Sequence, residues 1–117
     1  MWGSKTLIAN ARVSLTLLST TAQTAFAASG VSGDTGGTVV LGVLLKGGAA
    51  ARVVTFRAVD DTPVYFTVTV PAATTIQLNI PFQFPAVEGL ELVTDSATAD
   101  VSADLFFYKP GAFGLGL

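Results

Sequence analysis

Residues 63–94 read PVYFTVTVPAATTIQLNIPFQFPAVEGLELVT, and this stretch limits the fold more than any other part of the chain. Its apolar residues recur at every second position, first Val64, Phe66, Val68 and Val70, then Ile76, Leu78 and Ile80. That spacing places one set of side chains on a single face of a β-strand. Four prolines, Pro63, Pro71, Pro81 and Pro85, fall at or near the ends of these runs. Proline lacks the N–H that a helix interior needs, so the stretch excludes one long helix. Residues 62–87 carry no charge, yet the same prolines and the polar residues at period two exclude a transmembrane helix.

The rest of the chain reads as further strands. In residues 12–18, Val13, Leu15 and Leu17 alternate with Ser14, Thr16 and Leu18; Ser, Thr and Val are modest helix formers, so strand is favoured over a helix across residues 7–18. A second strand is expected at 21–27. Residues 29–37, SGVSGDTGG, form a glycine-rich loop; a phosphate-binding role would need a helix at its end, and Thr38 begins a strand instead. Strands follow at 38–46, expected to be covered on both faces, and at 51–59, where Val54, Phe56 and Ala58 alternate with Thr55, Arg57 and Val59. Residues 63–70 should turn Val64, Phe66, Val68 and Val70 to the core. With 75–80 and the short turn at 71–74, they read as a β-hairpin. Residues 81–85 read as an extended link and Glu88-Gly89 as a bend. The last strands are 90–94 and 99–108, the latter with Val101, Ala103, Leu105 and Phe107 on one face.

About eight short strands with turns every eight to twelve residues predict an all-β, antiparallel β-sandwich, jelly-roll-like in form. A smaller immunoglobulin-like sandwich is the structural alternative. The organisation is an N-terminal arm over 1–11, a single sandwich domain over 12–108 and a C-terminal tail over 109–117. Lys5 and the apolar residues after it resemble a signal peptide cleaved near Ala27. Asn10 and Arg12 interrupt the apolar run such a segment requires, so the arm reading is preferred.

Half of the residues are hydrophobic and 12% are charged, against roughly 25% charged in ordinary soluble proteins. A domain of 117 residues has a high surface-to-volume ratio and cannot hide that much apolar surface inside itself, so part of it should lie against a neighbouring chain. Trp2, Leu7 and Ile8 in the arm, with Phe113, Leu115 and Leu117 in the tail, are the candidate partner-interface residues. The six basic residues are scattered singly, without the patch that nucleic acid requires. Cysteine and histidine are both absent, which removes disulfides, thiolate and imidazole metal ligands, cysteine nucleophiles and the Ser-His-Asp triad. Asp60-Asp61 lacks the spacing of a calcium loop and reads as a turn. Glu88, Glu91, Asp95, Asp100 and Asp104 fall in turns or on exposed faces, and no pair of carboxylates is brought together by sequence. Neither catalysis nor a cofactor or metal is expected.

The succession Val68-Thr69-Val70-Pro71-Ala72-Ala73-Thr74-Thr75, then Pro81-Phe82, Gly89-Leu90, an acidic turn and a closing run from Ala99-Asp100-Val101 to Phe107-Tyr108 resembles small β-sandwich structural proteins of tailed bacteriophages. The resemblance covers about residues 38–108 and lies in turns and core positions. It implies a capsid decoration or cement protein on the virion exterior, often trimeric, bridging neighbouring copies of the major capsid protein, with no direct contact to nucleic acid or membrane. The alternatives are another capsid or tail subunit, or a secreted or surface binding module such as an adhesin or carbohydrate-binding domain. Trp2, Tyr65, Phe82, Phe84 and Tyr108 would be its aromatic candidates.

Overall fold

The computed structural model describes residues 9, 11–17, 20–29, 39–79, 81–95 and 100–108. They form nine strands: β1 (Ala11–Leu17), β2 (Gln23–Phe26), β3 (Val39–Lys46), β4 (Arg52–Arg57), β5 (Val64–Val70), β6 (Thr75–Leu78), β7 (Phe82–Gln83), β8 (Leu90–Thr94) and β9 (Val101–Tyr108). One sheet has the order β1-β9-β3-β6, with the short β7 also on β3; the other has the order β2-β8-β4-β5. All pairings are antiparallel. With β7 taken as the continuation of edge strand β6 beyond Pro81, this is the strand order of an eight-stranded jelly roll. The expected all-β sandwich is present, with one strand more than the sequence suggests. Residues 81–85, expected as a simple link, supply it: Phe82 and Gln83 pair with Val40 and Val39.

Period-two patterning places the core where the two sheets face each other. Leu17, Val40, Leu45, Val54, Phe56, Leu90, Leu92, Val101 and Leu105 are completely buried there. In β9, Val101, Ala103, Leu105 and Phe107 all point inward, as their alternation predicts. In β3, Val40, Val43 and Leu45 are buried, while Val39, Leu41, Gly42 and Leu44 on the other side are only half-covered, and a bulge lies between Val40 and Gly42. Residues of the doubtful N-terminal region are integral to the sandwich. β1 pairs over its whole length with β9, and β2 pairs with β8, so cleavage after Ala27 would strip an edge strand from each sheet.

Two local expectations are corrected. The runs 63–70 and 75–80 are not a hairpin: β5 pairs with β4 and β6 pairs with β3, on opposite sheets. Two strands with one apolar face each can bury those faces across a core as well as side by side, and a short turn does not distinguish the two. Here the 71–74 turn is fastened to the neighbouring β3–β4 connection, with Gly47 N–H donating to the Thr74 carbonyl (2.8 Å) and Ala73 N–H to that of Gly48 (2.7 Å). The hairpin that does form is β4–β5. In it, a bulge between Phe56 and Arg57 pairs Phe66 with Phe56 but Val64 with Arg57. Val64, expected in the core, is therefore 53% exposed, and Tyr65 turns toward buried Phe84 instead.

Candidate functional site

The charged side chains serve the fold singly. Arg57 donates from Nε to Glu91 Oε2 (2.6 Å) and lies 3.1 Å from Asp61 through Nη2. Asp95 accepts from Val53 N–H and Asp100 from Ala49 N–H, each trimming a strand end, and Asp104 accepts from the Ser14 hydroxyl across the β1–β9 pair. Among the described residues no three carboxylate, histidine or cysteine side chains gather as a metal would need. Asp60 and Asp61 stand in the exposed turn as expected, while Glu91, expected in a turn or on an exposed face, is buried in β8 and shares Arg57 with Asp61.

Tyr65 is a perturbed titratable group. Its hydroxyl donates toward Glu88 Oε1 and the Gly89 carbonyl, both at 2.9 Å. Burial, then the hydrogen bond to Glu88 and the negative charge of that carboxylate, push its ionisation well above the ordinary phenol range. A phenol whose folded-state pKa is raised contributes stability that is complete below its unfolded value, about 10, and is lost as pH rises toward the folded value. Tyr65→Phe is therefore expected to lose about 1–2 kcal/mol at neutral pH, from the bonds to Glu88 and Gly89. Above about pH 10 the difference from wild type should shrink. Urea titrations of both proteins at a series of alkaline pH values measure this; a constant difference would refute it.

Of the aromatics chosen from the sequence, Trp2 lies outside the described residues. Phe84 is buried against Phe26 and Tyr65, and Tyr108 is half-buried at the end of β9. Phe82 belongs to a different feature. The edges of β5 and of β6 with β7, which no other described strand pairs, face one another across the open side of the sandwich. Between them lies a cleft of about 350 Å³, lined by Val43, Phe66, Thr67, Val68, Leu78 and Phe82. Thr67 alone among these is polar, and it is exposed. An aromatic cluster backs the cleft: Phe66 stacks on Phe56 at 4.4 Å and meets Phe82 edge-on at 5.1 Å. A second depression of about 270 Å³ lies at Gly42, Leu44, Gln77 and Phe106.

The cleft was not foreseen. Phe66, Val68 and Leu78 are ordinary core positions in the alternation pattern, Phe82 falls in the expected link and Thr67 on the polar face, and reading β5 and β6 as a hairpin closes the side on which the cleft opens. The interface residues foreseen, Trp2, Leu7, Ile8, Phe113, Leu115 and Leu117, lie outside the described residues.

No protein-family model matches this chain, and no curated protein matches it. Among solved structures, the chain is similar to one from work describing Bacillus endospore appendages as a novel family of disulfide-linked pili. The TM-score is 0.54 at 15% identity, over 92% of this chain and 91% of that one. At that identity the likeness is one of fold. The present chain contains no cysteine.

Proposed function

We propose that this chain is a non-catalytic structural subunit that works by being built into a protein assembly on the outside of a particle or cell. The observation carrying this reading is the apolar cleft left open between two strand edges that no other described strand pairs. An exposed apolar groove bordered by free backbone N–H and C=O groups is the kind of surface that other chains cover. At about 25 cal/mol per Å², covering even a few hundred Å² of apolar surface contributes several kcal/mol before the cost of association. The low charge and apolar excess act in the same direction.

In its finer form, the chain is a capsid decoration or cement protein that bridges neighbouring major capsid subunits, as a homotrimer, on the virion exterior. The turn and core succession from Val68 to Tyr108 supports this. A second reading, the subunit of an extracellular appendage, is supported by the fold shared with the pilus chain over nearly the full length of both. Without cysteine, this chain would hold such a fibre together by non-covalent contacts alone.

Sedimentation and negative-stain electron microscopy of the purified chain, alone and mixed with expanded capsids, separate the two. Saturable binding of a small oligomer to capsids supports decoration, and regular fibres of the chain alone support the appendage. A stable monomer that does neither overturns the proposal.

A further inference from the structure

Resting on the reading of this chain as an assembly subunit, we infer that the cleft receives residues 113–117 of a second copy, laid as an added strand beside β5. Three observations lead to this occupant.

The first is chemical. Phe113, Leu115 and Leu117 alternate with Gly114 and Gly116. In an extended chain this puts three large apolar side chains on one face and none on the other. Such a segment buries one face in an apolar groove while its backbone pairs with a neighbouring edge, which is strand addition. The second is the receiving edge. β5 has seven residues, pairs among the described residues with β4 alone, and brings Phe66 and Val68 into the cleft and Thr67 to its rim.

The third is reach. β9 ends at Tyr108, which pairs with Val39 of β3, and β3 pairs in turn with β7. The mouth of the cleft thus lies about three strand spacings from the tail's point of departure, roughly 14 Å. The place beside β5 lies a further sheet spacing of about 10 Å over, roughly 17 Å from Tyr108 in all, and the five Cα steps from Tyr108 to Phe113 span at most about 18 Å when fully extended. In its own molecule the tail would be taut on arrival and still have to turn through a right angle to run beside β5. A neighbouring copy imposes no such limit. The contact is head-to-tail, so each copy both gives a tail and receives one, and repetition generates rings or open polymers.

The absence of native cysteine makes the test clean. If the tail's apolar face enters the cleft, Gly114 or Gly116 lies on the outward face with Thr67, at the separation a disulfide bridges. Full-length chains carrying Thr67→Cys with either Gly114→Cys or Gly116→Cys, oxidised under conditions where wild type assembles, are expected to give a ladder of covalent multimers in at least one of the two pairings. The ladder should collapse on reduction, and each single-cysteine control should stop at dimers. Leu115→Asp, which would bury a carboxylate without a partner, should raise the concentration for half-assembly about a hundredfold. A closed, fast-migrating monomer would place the tail in its own cleft and overturn the inference. Assembly without any ladder, or undiminished by Leu115→Asp, would also overturn it and leave the structural role standing. Failure of wild type to assemble would overturn both.

Discussion

Replacing Phe56 by alanine is expected to lower the melting temperature by on the order of 15 °C. The residue is completely buried in β4, stacked on Phe66 and edge-on to Phe82, so it joins the core between the sheets to the aromatic wall of the cleft. Removing a buried aromatic ring costs about 3–5 kcal/mol, the lost transfer energy plus the cavity left behind. Against a total stability of about 5–15 kcal/mol, that is a large fraction. For a domain of this size each kcal/mol displaces the midpoint by several degrees. Val64→Ala, at an exposed position of the adjacent strand, should shift it within the noise of surface substitutions, about 0.5 kcal/mol. Calorimetry of the two variants measures the contrast, and similar shifts for both would show that Phe56 is not part of a tightly packed core.

Gly89→Ala is expected to cost about 2–4 kcal/mol, although it adds a single methyl group. Gly89 has φ +70°, in the left-handed region that side chains resist. A Cβ there would sit 2.5 Å from the Phe26 carbonyl oxygen, 2.7 Å from the Ala28 nitrogen and 2.8 Å from a Val59 methyl. Two of these are backbone atoms at the end of β2, which cannot swing aside as a flexible side chain does. Ala73 also has a positive φ, 50°, but stands exposed in the 71–74 turn. Ala73→Gly should therefore change stability by less than about 1 kcal/mol. Urea unfolding decides between enclosure and backbone conformation as the cause. If Gly89→Ala costs no more than the ordinary penalty of a left-handed alanine, the tight approach to β2 has no energetic weight.

Most strands could be read from the sequence, because period-two alternation is a local signal. The β9 face of Val101, Ala103, Leu105 and Phe107 and the span of β8 follow from it directly. What the alternation does not carry is the partner of each strand. Nothing near Leu17 indicates that it lies opposite Val101, and nothing in Pro71-Ala72-Ala73-Thr74 separates a hairpin from a crossover between sheets. The bulge opposite Phe56 is similarly silent; it exchanges the expected places of Val64 and Tyr65. β7 escaped notice because two residues between prolines are too short a run to alternate. The candidate site shares these blind spots. Phe66, Val68 and Leu78 in its lining read as apolar-face positions, but an opening between two edges can be recognised only once those edges are known to belong to different sheets.

The β1–β9 pair also has a consequence in time. Among the described residues, β1 is the first strand to be synthesised and has a single sheet partner, β9, which is the last of the described strands to be made. During translation β1 must wait while the other described strands are added, so its sheet is completed only once β9 has been made. Loop closure over so long a separation is slow compared with local pairing. A nascent chain that has not yet made β9 therefore presents an incomplete sheet to its neighbours, and incorporation into any larger structure is deferred until β9 exists.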